Sequence, residues 1–185
     1  MKTYTSVFAL VASMALATAA IAADEFSVDP EHTWVNFSVN HGGFASAQGN
    51  FGEVSGTILF DQDDVTNSSV SVEIKTASID TNHEVRNGHL ASPDFFNAAE
   101  FPTVTFKSTE IEKTGDNTGT VTGDLTMIGV TKEVTLDAVF NKGDADKVGF
   151  SATAEITPGD FGMSKVAGFG LGPNVVISID LEAVK

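Results

Sequence analysis

RNGHLASPDFFNAAEFPTVTFKS, Arg86–Ser108, interrupts a chain otherwise written in β alternation. Just before it, Thr81-Asn82-His83-Glu84 has the form of a capping box: the Thr81 hydroxyl can accept from the Glu84 N–H while the Glu84 side chain returns to the Thr81 N–H. A short helix to about Leu90 is predicted. Ser92-Pro93-Asp94 is a second start signal, with Ser92 as N-cap and Pro93 at the first helical position. The one- or two-turn helix it predicts carries Phe95 and Phe96, which must be buried against a sheet. Pro102 opens a strand, and Val104 with Phe106 carries it onward.

Outward from this segment the period is two, with β-branched residues and short polar breaks, the signature of an antiparallel all-β domain. Val35, Phe37 and Val39 alternate with Asn36, Ser38 and Asn40. A long strand is predicted from about Gln48 to Phe60, with Val54, Ile58 and Phe60 on one side, and Val70, Val72 and Ile74 form the next set. Further strands carry Val121, Leu125 and Met127; Val134, Leu136, Ala138 and Phe140; Val148, Phe150, Ala152, Ala154 and Ile156; and Val175, Ile177, Ile179 and Leu181. Asp61–Ser69 and Asn141–Asp146 read as loop and turn. About eight strands is the count at which a closed barrel is filled by side chains or holds one small ligand. A two-sheet sandwich is the alternative.

The ends and the composition narrow the setting. Lys2, an apolar run from Val7 to Ala20 and the triplet Ala20-Ile21-Ala22 have the pattern of a secretory signal peptide. Cleavage is expected after Ala22, with Ala23 the alternative, leaving residues 23–185 as one domain. The apolar run is short for a bilayer span. The chain has no cysteine, so the fold rests on core burial without disulfides. A net charge of −15, with only Lys2 among the charges of the leader, argues against phosphate-mediated nucleic-acid binding and against attraction to an anionic surface. Of the aromatic residues after the leader, Trp34 alone is of the interfacial type, so the girdles of an outer-membrane barrel cannot be built. Phenylalanine with Val, Ile and Leu suits a dry interior.

The Arg86–Ser108 run, together with DPEHTWVNFSVNH at Asp29–His41 and VTGDLTMIGVTKEVTL at Val121–Leu136, resembles the YceI family of bacterial periplasmic lipid-binding barrels, with the motifs in the family's order. The resemblance implies an eight-stranded antiparallel lipocalin-like barrel with short inserted helices. It also implies a periplasmic protein that binds, transports or sequesters a long isoprenoid-type lipid, either a polyprenyl compound or an isoprenoid quinone. That lipid would be its only small-molecule partner; no cofactor is implied, and whether two barrels associate is left open. At one point the chain departs from the family, which commonly has an arginine before the DFG-like element where Pro158 stands here.

Other chemistries find little support. His83 and His89 are six apart, which does not align them on one helix face, and there is no HExxH, so His32, His41, His83 and His89 are read as structural or surface residues and no metal is expected. His32 and His89 are expected to make local hydrogen bonds that pin a strand start and a helix. No GxSxG is present. Asp63-Asp64 sits in a polar loop, and the glycine-rich Pro158–Gly172 segment lacks the GK[ST] ending of a phosphate loop. No catalytic residue is assigned. That glycine-rich segment either gates the mouth of an apolar cavity or is a plain hairpin over the barrel end. The residues expected to line a cavity or its mouth are Leu125, Met127, Leu136, Ala138, Phe140, Phe150, Ala152, Phe161, Met163 and Phe169. Two other readings remain open: an enzyme acting on a lipid or quinone, which needs a polar pair inside the cavity, and a ligand-free structural or stress-response barrel, which needs a filled interior.

Overall fold

The computed structural model describes residues 23–185, and the expected leader lies outside them. Eleven strands form one antiparallel sheet: β1 (Asp24–Val28), β2 (Trp34–His41), β3 (Ala45–Phe51), β4 (Val54–Phe60), β5 (Ser69–Lys75), β6 (Ile79–Asp80), β7 (Thr103–Lys113), β8 (Thr118–Met127), β9 (Val130–Gly143), β10 (Lys147–Ile156) and β11 (Leu171–Val184). They are eight passages of the chain, because β1–β2, β3–β4 and β5–β6 are each one passage broken once. Each passage pairs with the next, and the eighth returns to the first: β11 pairs with β1 at Ser27↔Val184 and with β2 from Leu171↔His41 to Asp180↔Trp34. The fold is therefore the expected closed eight-stranded antiparallel barrel, and the sandwich is excluded.

The predicted unbroken strand from Gln48 to Phe60 is the first correction, since the ladder stops at Gly52-Glu53. This break stands beside two others, the turn Pro30–His32 and the turn Thr76–Ser78, so the sheet is creased across three passages. The crease is stitched where the ladder fails. The Gly52 N–H donates to the Ser78 carbonyl at 3.1 Å, the Glu53 N–H to the Ser78 hydroxyl at 3.1 Å, and the Lys75 N–H to the Glu53 carbonyl at 2.9 Å. The fully buried Thr76 hydroxyl donates to the Phe101 carbonyl at 2.8 Å. Buried backbone groups that lose a ladder partner need another one.

Strand direction defines two ends. The upper end holds the β2–β3 turn, residues 81–102, the β8–β9 turn and residues 157–170. The lower end holds the loops 61–68, 114–117 and 144–146. The β8–β9 turn has two residues at positive φ, Ile128 at 51° and Gly129 at 72°, as a tight hairpin between right-twisting strands requires. Ile128 is an unusual occupant because its branched side chain disfavours that region. Its packing against the cluster of Val104, Met127, Phe161 and Met163 offsets the strain.

Residues 81–101 form one helix, α1 (Glu84–Ala91), followed by tight turns. The predicted capping box is not formed. Asn82 takes φ 57°, which Asn tolerates, and this delays the helix so that His83 is the N-cap and its ring nitrogen accepts from the Arg86 N–H at 3.2 Å. Thr81 instead receives Arg86 Nε on its hydroxyl at 2.8 Å, while Asn87 bridges the Thr81 N–H and Asp80. The predicted second helix is also absent. Ser92 closes α1 by donating its N–H to the His89 carbonyl, and its own carbonyl collects the N–H groups of Phe95 and Asn97 at 3.0 and 2.9 Å. With Asn97 at φ 46° the chain folds back on α1 instead of starting a new helix.

Candidate functional site

Alternation turns the apolar face of every passage inward, and eight strands enclose more space than those side chains fill. A cavity of about 510 Å³ runs along the barrel interior. Toward the lower end Phe26, Ile58, Val148 and Ala183 form a buried cluster. Packed against it, Phe60, Phe140 and Phe150 line the cavity as a mutually packed trio, with ring centroids 5.2–5.5 Å apart. At the upper end Leu90, Phe95 and Phe96 from residues 84–101 meet Pro158, Met163 and Val166 to form a lid.

Eight of the ten residues singled out from the sequence line this cavity: Leu125, Met127, Leu136, Ala138, Phe140, Phe150, Ala152 and Met163. Two do not. Phe161 is 3% exposed but packs among Val104, Met127, Val134 and Ile156, beside the place where β9–β10 pairing stops at Thr153↔Asp137. It plugs the wall there. Phe169 is half exposed and lies over the lid, against Phe95 at 5.7 Å and His89 at 5.5 Å between ring centroids. The lid segments are further joined by an ion pair between Lys165 and Asp94, whose hydrogen bond holds the Asp94 carboxyl below the usual carboxylate range.

Ala138 has small neighbours on both sides, Gly119 on β8 and Ala152 on β10, in one cross-strand row. This row presents only small side chains to the cavity. The opposite face of β9 is polar, with the Thr135 hydroxyl 2.9 Å from that of Thr122.

The polar side chains of the lining were not anticipated. Glu112, Lys113, Asp116, Asn117 and Thr118 from the β7–β8 hairpin and Gln62 with Ser68 from the β4–β5 loop stand at the lower end. Their only sequence signal is that a polar hairpin closes two inward-facing strands. Glu112, Lys113 and Asp116 are the only acids or bases in the lining, all exposed, and no histidine is among them. The apolar length of the cavity thus carries no acid–base pair.

The histidines lie elsewhere. His32 Nδ1 is 2.8 Å from Asp29 Oδ2, and this hydrogen bond raises the His32 pKa above its ordinary value while lowering that of Asp29. Glu182 stands close enough to complete a three-residue donor group with them, but it engages Lys147 at 2.5 Å. The Glu31 N–H, the His32 ring and the Lys147 ammonium already occupy these oxygens, so the group is a hydrogen-bonded network on the outer wall. His89 does not make the expected side-chain hydrogen bond; its ring packs edge-on against Phe95 at 4.9 Å.

A closed antiparallel barrel around a cavity that is apolar along most of its length is the class that this geometry defines. Residues 26–183 match the model of the YceI-like domain, and the chain belongs to that family. It is 38% identical to Protein YceI of Salmonella arizonae, over 95% of this chain and 94% of that one. Among solved structures it is similar to Burkholderia cenocepacia BcnA, with a TM-score of 0.77, 26% identity, and coverage of 84% of this chain and 98% of that one. A polyisoprenoid binding domain from Saccharophagus degradans, implicated in plant cell wall breakdown, shares the fold, with a TM-score of 0.71, 16% identity, and coverage of 86% and 97%.

Proposed function

We propose that this protein is a periplasmic carrier or sequesterer of a long isoprenoid-type lipid, a polyprenyl compound or an isoprenoid quinone, held in the barrel cavity. The observation that carries the reading is the cavity itself: about 510 Å³, apolar along its length, with polar groups at one end only. That polarity matches an amphiphile with one small head and one long tail. The tail takes the apolar length between the Phe60–Phe140–Phe150 trio and Met163, and the head lies among Gln62, Lys113 and Asn117. Removal of apolar tail surface from water, at about 25 cal/mol per Å², supplies the affinity without any ionic contact. Ordering of the tail and of the lid opposes it.

Binding, and not catalysis, is favoured because the acids and the base of the lining are exposed at the polar end, where water competes for them. The open interior speaks against the ligand-free barrel. Export follows from the leader pattern, with cleavage after Ala22, and intact-mass measurement of the exported product checks it; a chain still beginning at Met1 removes the periplasmic assignment. Solvent extraction and mass spectrometry of the protein purified from its own periplasm tests the carrier reading. An isoprenoid lipid at near one per barrel is expected, and repeated extraction of no lipid refutes it.

A further inference from the structure

The exposed apolar side chains are unevenly placed. Five large hydrophobic residues are exposed among the described residues, and three of them stand at the upper end: Phe44 at 93%, Val85 at 77% and Phe169 at 52%. Phe44 and Phe169 stand on adjoining turns, because the Gly42 N–H donates to the Gly170 carbonyl at 2.9 Å and so ties the β2–β3 turn to the lid. Val85 is on the first turn of α1, the other half of the lid. The two remaining residues, Trp34 and Val176, belong to the barrel wall.

Charge divides the ends the other way. The lower loops carry Asp61, Asp63, Asp64, Asp116, Asp144 and Asp146, and the strand ends beside them carry Asp24, Glu112 and Glu182 against Lys113, Lys142, Lys147 and Lys185, so acids prevail there. The upper segments carry Glu84, Asp94, Glu100 and Asp160 against Arg86 and Lys165, with His83 and His89 beside them. Lys165 and Asp94 neutralise each other. A cell membrane with anionic lipids repels the lower end and tolerates the upper one. Large apolar side chains gain when they leave water for the boundary between headgroups and acyl chains.

We propose that the upper end is a docking surface for a phospholipid bilayer, with Phe44, Phe169 and Val85 entering the interface and the acidic lower loops facing away. The surface is distinct from the cavity, but it bears on access to it. Phe169 packs on Phe95, and Phe95 lines the cavity, so a Phe169 ring drawn into lipid uncovers the lid at its outer side. The lid then faces the source of an apolar cargo. A lipid that passes the lid head first reaches the polar lower end with its head.

Flotation of the exported, purified protein with phosphatidylcholine vesicles, and with the same vesicles containing phosphatidylglycerol, tests this. The parent is expected to float with phosphatidylcholine, and less with added phosphatidylglycerol at low salt. Phe44→Ser and Phe169→Ser should each weaken vesicle partitioning about tenfold, whereas Val176→Ser on the wall should leave it unchanged. Phe44 is almost wholly exposed, so its replacement does not threaten the fold. A parent that stays with the unbound fraction overturns the proposal, as does Phe44→Ser floating like the parent. Sedimentation of the same samples covers another occupant: a dimer that Phe44→Ser dissociates, without vesicle binding, assigns the surface to a second copy and also overturns it. Lipid extraction from the same preparations separates the two readings. Bound isoprenoid without flotation removes the docking surface alone, and flotation without bound lipid removes the carrier alone.

Discussion

Replacing Ala138 with Trp should block the cavity, and the size of the effect follows from the wall around it. Ala138 sits between Gly119 and Ala152 and faces the lumen, so no neighbour in that row limits a large side chain from entering it. A two-ring side chain there excludes at least one five-carbon isoprene unit. At about 0.8 kcal/mol per buried carbon the loss is about 4 kcal/mol, or about a thousandfold in Kd. The assay is equilibrium binding of a polyprenol and of an isoprenoid quinone of equal tail length to delipidated protein. Thr135→Trp is the control, because it changes the same strand on its outer face. Overpacking could itself cost about 1–3 kcal/mol of stability, so circular dichroism and a denaturant melt must show that both variants are folded. A folded Ala138→Trp that binds with the parent's Kd would falsify the placement of the tail along this strand.

Three further outcomes are expected. Phe95, 5% exposed, should cost about 3–5 kcal/mol when replaced by Ala; a denaturant midpoint equal to the parent's contradicts its role as a lid anchor. Gly129→Val should cost about 1–3 kcal/mol, because φ is 72° and a Cβ would stand 3.0 Å from the Phe101 ring; urea melts read this directly. An NMR titration of His32 should give a midpoint above 6.5, falling when Asp29 is changed to Asn. The sign follows from the pair: the raised His32 value means that its contribution is complete below the unfolded pKa and is lost as pH rises through the folded one, while the lowered Asp29 value means loss as pH falls through that carboxyl's folded pKa.

The barrel was legible because alternation, strand count and polar breaks all state the same thing. Val35, Phe37 and Val39, or Val70, Val72 and Ile74, face inward for the same reason in the sequence and in the fold. Alternation on the regular strands is what turns Leu125, Met127, Leu136, Ala138, Phe140, Phe150 and Ala152 toward the cavity. The places of Phe161, inside the wall, and of Phe169, over the lid at the mouth, do not follow from it, because the turns of Pro158–Phe161 and Ser164–Phe169 have no period from which to read a direction. Composition there says only that apolar rings and glycine are mixed. The helix start failed for a related reason: the pattern at Thr81–Glu84 assumes continuous helical geometry, and one residue at positive φ, Asn82, removes it. The polar lower end depends on which hairpin meets which across the barrel, a long-range fact that local patterning does not hold.

The crease across the first three passages gives the barrel two unlike halves. Below it, hydrogen bonds run around the full circumference. Above it, β3 meets β6 only at Asn50↔Asp80 and Phe51↔Ile79, and from Ala45 to Gly49 its second side has no ladder partner among the described residues. Residues 84–101 stand in the gap as a panel held by side chains, chiefly Leu90 and Phe96 against Val35, Phe51 and Val54. A panel of this kind can swing on its Asp80–Asn87 and Thr76–Phe101 anchors without breaking a single rung of the sheet. Opening is therefore opposed by apolar contacts, the exposed Lys165–Asp94 ion pair and the Arg86–Thr81 hydrogen bonds rather than by the ladder, and amides of α1 should exchange with solvent sooner than those of β7–β11. Such a wall combines a rigid frame with a door.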